Sequence, residues 1–222
     1  RLTEQIAREA AQKERLNREL EIAREVQERL FPQDLPKVKG VEYHGACRPA
    51  LGVGGDYYDF LELNDGQLGL AIGDVSGKGI GAALMMASLQ ASLRGQTVHF
   101  GDDLAGLMVQ VNRLVYDSST TNRYATFFYG QYDPSSRKLI YVNAGHNPPV
   151  VLRGSSSADR EVILLETGGP VVGMLPAMLV NYERGEIILE PGDILVGSTD
   201  GITEAMNPND ELPDLPPEPL AP

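Results

Sequence analysis

The first thirty residues alternate apolar and charged positions with the period of a helix. This stretch contains no glycine or proline, and many of its apolar residues recur at spacings of three and four. The residues of this stripe are Leu2, Ile6, Leu16, Leu20, Ala23 and Leu30. A second apolar edge, Ile22 and Val26, indicates that the later turns contact something besides a partner helix. The pattern predicts a linker helix over residues 1–30, which either dimerises as a short coiled coil or docks on its own domain.

A proline-containing break separates this helix from a long series of strand-like segments. Phe31-Pro32 ends the helix, because proline disfavours helical geometry in the residue before it. Short runs of aliphatic and aromatic residues predict strands at 41–48, 56–63, 67–74, 125–132, 138–143, 149–153, 162–165, 182–189 and 193–199. Two helices, at 81–93 and 104–115, interrupt the series. Since the links between strands are too short for parallel crossovers, we expect an α+β fold with largely antiparallel sheets.

Composition then divides the chain into three parts. Residues 1–30 form the linker, residues 31–206 the folded domain, and residues 207–222 a Pro-rich acidic tail that we expect to be disordered. The chain starts within the helix, at Arg1 and without Met, so we expect it to be a piece of a longer protein.

Charge and cysteine usage exclude several classes of function. Asp and Glu number 31 against 19 Lys and Arg, which gives a net charge of -12. Such a surface repels a phosphate backbone and an anionic membrane, so neither nucleic acid nor lipid is an expected partner. Cys47 is the only cysteine, which excludes an internal disulfide and fits a reducing compartment. No apolar run is long enough to cross a bilayer, and we expect a cytoplasmic protein.

Three aspartates stand beside glycines at the edges of predicted strands. They occur in Gly54-Gly55-Asp56, Gly73-Asp74-Val75 and Thr199-Asp200-Gly201. Carboxylates from distant parts of a chain that meet at strand ends suit Mg²⁺ or Mn²⁺, which prefer oxygen ligands. Two such ions can lower the pKa of a shared water and position it to attack a phosphorus atom. Any one Asp-Gly pair by itself is more often only a turn.

Four motifs in order resemble the bacterial PP2C-like serine/threonine phosphatases of the RsbU/SpoIIE group. The resemblance rests on residues 54–59 (GGDYYD), 73–79 (GDVSGKG), 144–148 (AGHNP) and 198–201 (STDG). It implies an α/β/β/α sandwich of two largely antiparallel sheets flanked by helices, with a centre of two Mn²⁺ or Mg²⁺ ions. It also implies hydrolysis of phosphoserine or phosphothreonine by a metal-activated water, without a covalent enzyme intermediate.

The same resemblance assigns site residues by position. Asp56, Asp74 and the backbone carbonyl of Val75 correspond to metal ligands, and Asp200 to a ligand of the second ion. Two departures stand out: Ser76 replaces the histidine that the eukaryotic branch carries, and nothing after Ala205 matches the terminal Asp-Asp-x-Thr segment of the bacterial family. We therefore expect a domain whose C-terminal part is missing.

Two further residues have open roles. Lys78 either faces the substrate or points to solvent, and His146 is either a substrate-side residue or a structural brace. The glycines around Lys78 do not match a P-loop, because the first glycine is one residue too close and Gly79 replaces the required Ser or Thr.

The resemblance implies a small phosphoprotein substrate, an anti-sigma-factor antagonist, and a signal that reaches the domain through the linker from an upstream sensor domain. We expect a homodimer formed by the linker helix. The alternative is a catalytically weak phosphatase-like module that transmits a signal by binding a partner.

Overall fold

The computed structural model describes residues 2–49, 52–119, 123–154 and 160–203. The helices are α1 Leu2–Glu28, α2 Ile80–Phe100, α3 Leu104–Ser118 and the short α4 Asp200–Thr203. The strands are β1 Tyr57–Glu62, β2 Leu68–Val75, β3 Ala125–Asp133, β4 Lys138–Ala144, β5 Val150–Arg153, β6 Glu161–Leu164, β7 Gly168–Gly169, β8 Gly185–Ile188 and β9 Ile194–Val196. The tail predicted at 207–222 lies outside the described residues.

The strands form two sheets. The larger has the order β1-β2-β3-β4-β7, with β8 paired to β4 beside β7, and the smaller has the order β6-β5-β9. All pairings between named strands are antiparallel except the two-residue contact of β4 with β7. The prediction of an α+β fold with largely antiparallel sheets is confirmed.

Helices α2 and α3 cover one face of the larger sheet and enclose the main core. Leu89 and Leu93 of α2 and Leu107 of α3 are fully buried there, and each such side chain contributes about 1.5–3 kcal/mol by leaving water. Phe128 and Tyr141 point to the opposite face, where they stack at 5.5 Å in a second core beneath the smaller sheet. No helical layer covers the smaller sheet within the described ranges.

A buried ion pair fastens α2 to the edge strand of the larger sheet. The side chain of Asp59 on β1 is fully buried, and Arg94 of α2 donates two hydrogen bonds of 2.7 Å to its carboxylate. The Tyr57 hydroxyl donates a third, also of 2.7 Å. Because the carboxylate has several donors, its burial is compensated, and the pair fixes α2 relative to β1.

The last turns of α1 dock on the domain, whereas the earlier turns are exposed. Leu20, Ala23 and Leu30 are partly buried, and Gln27 is only 6% exposed. The Gln90 side chain of α2 donates a 2.6 Å hydrogen bond to the Leu30 carbonyl. The docked alternative is therefore confirmed for the end of the helix. The coiled coil stays a prediction.

Several boundaries differ from the sequence prediction. The strand predicted at 41–48 is wrong: the segment alternates partly buried and exposed residues, yet it joins no sheet. The alternation arises because one side of the segment lies on the larger sheet, where the ring centres of Tyr43 and Phe60 are 4.7 Å apart. Helix α2 continues seven residues past Leu93, and β7 was not predicted because two glycines carry no strand pattern.

Candidate metal centre

The register of the larger sheet brings Asp56 and Asp74 to the same end. Tyr57 at the start of β1 pairs with Gly73 near the end of β2. Asp56 directly precedes Tyr57 and Asp74 directly follows Gly73. Antiparallel pairing therefore places two of the predicted ligands side by side, although eighteen positions separate them along the chain.

Asp200 joins them from a different part of the fold. It opens α4, four residues after the end of β9. Asp56, Asp74 and Asp200 all line one cavity of about 570 Å³, whose wall also includes the loop between β2 and α2. The structure thus brings together the three carboxylates that the sequence analysis singled out.

Gly55 lies close to two of the predicted ligands, the Val75 carbonyl and the Asp74 carboxylate. The Val75 amide donates a 3.3 Å hydrogen bond to the Gly55 carbonyl. A Cβ atom at Gly55 would lie 2.6 Å from the Val75 carbonyl oxygen and 3.2 Å from Asp74 Oδ1. Both oxygens therefore occupy the space beside Gly55 that a side chain would fill, and the site needs glycine there.

Burial and neighbouring carboxylates raise the pKa of two of the three aspartates, Asp56 and Asp74. Burial, followed by the charges of Asp56 and Asp200, raises the pKa of Asp74 to about 6. Burial also raises the pKa of Asp56, with Asp200 adding to the effect and a hydrogen bond from Thr199 opposing it. Like charges held together out of water are unfavourable unless a cation compensates them.

The donor set fits a hard divalent cation. Asp56 Oδ1 is buried and has no hydrogen-bond partner, so it is an oxygen available to a ligand. No three His, Cys, Asp or Glu side chains of the described ranges converge at the spacing of ligands to one ion. Mg²⁺ commonly takes only one or two protein carboxylates and keeps several waters, so this dispersed arrangement suits it better than it suits a closed structural site.

Lys78 and His146 occupy different environments. Lys78 is exposed on the cavity wall. His146 is 5% exposed and is not among the residues that line the cavity. Burial lowers the pKa of His146 to about 4, against the opposing effects of the Ser198 carbonyl and the Asp200 charge, so the ring is neutral at pH 7.

The hydrogen bonds of His146 suit a brace. Its Nδ1 lies 2.9 Å from the Thr126 hydroxyl, and its amide donates a 2.7 Å hydrogen bond to the Asn143 side chain. Nε2 is buried and makes no hydrogen bond of ordinary geometry. The Ser198 carbonyl is nevertheless close enough to raise the pKa of the ring. His146 thus lies between Thr126 of β3 and Ser198, which is two residues before Asp200.

Sequence reasoning missed two residues of the cavity wall and one neighbour of the cavity. Tyr124 and Thr126 line the cavity, and Arg123 lies against its glycine loop. Arg123 and Tyr124 immediately precede the first residue of β3, and Thr126 of β3 pairs with Asp74 of β2. The sequence carried no signal for them, because only the pairing of β2 with β3 places them at the cavity.

The fold belongs to a known class. The chain superposes on the SiaA-PP2C domain of Pseudomonas aeruginosa with a TM-score of 0.74, covering 88% of this chain and 76% of that one at 22% identity. It also matches the structure of the RsbU and RsbW domains of Rv1364c from Mycobacterium tuberculosis, with a TM-score of 0.58 over 74% of this chain and 42% of that one, at 29% identity. The architecture is that of a PP2C domain.

Residues 64–217 match the family model of Stage II sporulation protein E (SpoIIE). The chain belongs to the SpoIIE family, as its motifs indicated.

Curated relatives agree with this assignment. The chain is 34% identical to Protein IcfG of Synechocystis sp. over 90% of its own length and 35% of that protein. It is 31% identical to phosphoserine phosphatase RsbU of Bacillus subtilis over 89% of its own length and 57% of that protein. The chain therefore spans between a third and three fifths of these relatives.

Proposed function

We propose that this chain is a Mn²⁺- or Mg²⁺-dependent phosphatase that hydrolyses phosphoserine or phosphothreonine on a protein. The observation that carries the proposal is the meeting of Asp56, Asp74 and Asp200 on one cavity, where burial and mutual repulsion raise the pKa of the first two. Such an arrangement is costly without cations, and it is a typical setting for a functional site.

The residues have distinct parts in this proposal. Asp56, Asp74 and the Val75 carbonyl would hold the first ion, and Asp200 would hold the second. When bound, two divalent ions supply the positive charge that lowers the pKa of a water and stabilises the transferring phosphoryl group. The water oxygen bonds to phosphorus and gives up a proton, while the bond from phosphorus to the serine or threonine oxygen breaks and that oxygen takes up a proton. Ser76 stands where the eukaryotic branch has a histidine acid, so the proton for the leaving oxygen comes from water or from another group.

Family membership supports a proposal for the substrate class. RsbU and RsbP of Bacillus subtilis, which match 89% and 92% of this chain, are named phosphoserine phosphatases. We infer a small cytoplasmic phosphoprotein as the substrate, an anti-sigma-factor antagonist. No helix in the described ranges is long and apolar enough to cross a membrane.

The linker helix would carry regulation to the site. Gln27 donates a 2.7 Å hydrogen bond to the Gly54 carbonyl and accepts one of 3.0 Å from the Gly54 amide. Gly54 is two residues from Asp56, so movement of α1 would move a metal ligand. We infer that a sensor domain upstream of the linker acts through this contact, and that the linker pairs two copies of the chain.

The test is hydrolysis of p-nitrophenyl phosphate and of a phosphoserine peptide, with and without Mn²⁺. We expect Mn²⁺-dependent turnover by the wild type and a loss on the order of 100-fold in Asp74→Asn and Asp200→Asn, because ligand loss costs at least as much as loss of a group that supports a ligand. Asp65→Asn is the matched control, since Asp65 is exposed in the turn between β1 and β2. Equal rates in all four proteins would refute the mechanism.

The alternative is a phosphatase-like signalling module with little activity. The absence of three converging metal-ligating side chains within the described ranges favours it. Mn²⁺ binding by the wild type without any turnover would support this alternative over the enzyme.

A further inference from the structure

Arg123, two residues before β3, has a guanidinium nitrogen without a hydrogen-bond partner. Its Nη1 is buried and makes no hydrogen bond. Arg123 forms no ion pair with another described residue. Burying part of a cation without a counter-ion is unfavourable. The described part of the chain therefore supplies no anion for this guanidinium, and a bound anion would compensate its charge.

The guanidinium rests on the glycine loop that forms one wall of the cavity. A Cβ atom at Gly81 would lie 2.6 Å from Nη2 and 2.7 Å from Nη1, so the group fits there because residue 81 has no side chain. Nη1 is 3.8 Å from the corresponding position at Gly77, and Gly77 lines the cavity. Arg123 is not itself among the residues that line the cavity, but its neighbours Gly77 and Tyr124 are.

The nearby groups of this loop add positive charge and cannot neutralise Arg123. Lys78 stands between the two glycines, is exposed on the cavity wall and forms no ion pair with a described residue. Helix α2 starts at Ile80, and its N-cap, Gly79, offers no side-chain oxygen. The first turn of a helix carries partial positive charge.

We propose that Arg123 and Lys78 bind the phosphoryl group of the substrate at the edge of the carboxylate cavity. The inference rests on the proposed function, since it assigns the recognition of the group that the carboxylate centre would cleave. A phosphomonoester dianion suits the site, because a guanidinium donates two parallel hydrogen bonds to phosphate oxygens and the ammonium of Lys78 adds a second charge. Substrates must then carry a terminal phosphoryl group that reaches both cations.

The experiment uses p-nitrophenyl phosphate as substrate and inorganic phosphate as competitive inhibitor, at saturating Mn²⁺. We expect Arg123→Met to raise both KM and the inhibition constant of phosphate about tenfold or more, because a charge-assisted hydrogen bond to phosphate is lost. Arg123→Lys should have a smaller effect, and Mn²⁺ affinity measured by electron paramagnetic resonance should not change. Arg113→Met, exposed on α3, is the matched control.

Gly81→Ala provides a second, independent variant. It keeps every charge but places a methyl group where the guanidinium lies, so phosphate inhibition should weaken although alanine favours the helix. If Arg123→Met does not fold, Gly81→Ala and Arg123→Lys decide the question. An inhibition constant within twofold of the wild type in the folded variants would overturn the proposal and leave Arg123 a packing residue. Absence of Mn²⁺-dependent turnover in the wild type would instead refute the proposed function, and phosphate binding measured by calorimetry would still test Arg123.

Discussion

Gly55 keeps open the space between two proposed metal ligands. The Val75 carbonyl oxygen and Asp74 Oδ1 both lie within 3.2 Å of the point where a Cβ atom would be. A side chain there would push apart the Val75 carbonyl and the Asp74 carboxylate. At the scale of single residues, the proposed centre depends as much on the absence of a side chain at Gly55 as on the carboxylates.

We expect Gly55→Ala to lower Mn²⁺ affinity at least tenfold and to destabilise the fold by about 1–3 kcal/mol, since overpacking forces the backbone to shift. Titration calorimetry and urea unfolding measure the two effects. Gly95→Ala is the control: no atom lies within 4 Å of its Cβ position in α2, so it should stabilise the protein by about 0.5–1 kcal/mol. A Gly55→Ala protein with unchanged metal affinity would contradict this account of the site.

At the scale of elements, the polar side chain of Gln27 connects the end of α1 to the site by hydrogen bonds. Gln27 occupies the apolar register of the helix, yet it is buried and makes two hydrogen bonds to the backbone of Gly54. An apolar residue would leave both backbone groups without partners. The helix and the loop that carries Asp56 therefore move together.

Gln27→Ala tests this coupling. We expect a loss of about 1–3 kcal/mol in the free energy of unfolding, because a buried amide and carbonyl lose their partners. Mn²⁺ affinity should fall as well, since Gly54 no longer fixes Asp56. Gln5→Ala, which removes only an exposed hydrogen bond to Glu9, should change neither quantity. A stability loss without any effect on metal binding would separate the linker from the site.

At the scale of the whole molecule, the first turns of α1 stand apart from the domain. Ile6 is 58% exposed and Leu16 is 52% exposed, although both belong to the apolar stripe. Exposed apolar residues at helical spacing suit a partner helix, and a second copy of the chain carries the same stripe.

Sedimentation equilibrium measures this association. We expect a dimer whose dissociation constant rises at least about 100-fold when Ile6 and Leu16 are both replaced by Glu, because buried apolar contacts are lost in each copy. The pair Gln12→Glu and Asn17→Glu adds the same charge outside the stripe and should leave the dimer intact. A wild type that stays monomeric at high concentration would rule out the coiled coil.

The elements and the carboxylates were predictable because they depend on local patterns. The period of α1, the turn after β1 and the stripe of α3 are properties of short stretches, and Asp103 caps α3 with a 2.9 Å hydrogen bond as its place before the stripe suggests. The strand predicted at 41–48 was wrong because alternation of apolar and polar residues indicates that one side of a segment is buried, and it does not show that the backbone pairs with another strand.

The sequence by itself determined which residues could serve a metal centre and where most helices and strands lie. Only the tertiary structure decided that β1, β2 and β3 pair in a register that sets Asp56, Asp74 and Thr126 at one end of a sheet. It alone placed Arg123 against Gly81 and Gln27 against Gly54. Local propensity acts over a few residues, whereas Asp56 and Asp74 are 18 positions apart and Gln27 and Gly54 are 27 apart, and the free energy of such contacts exists only once the sheets and helices have packed.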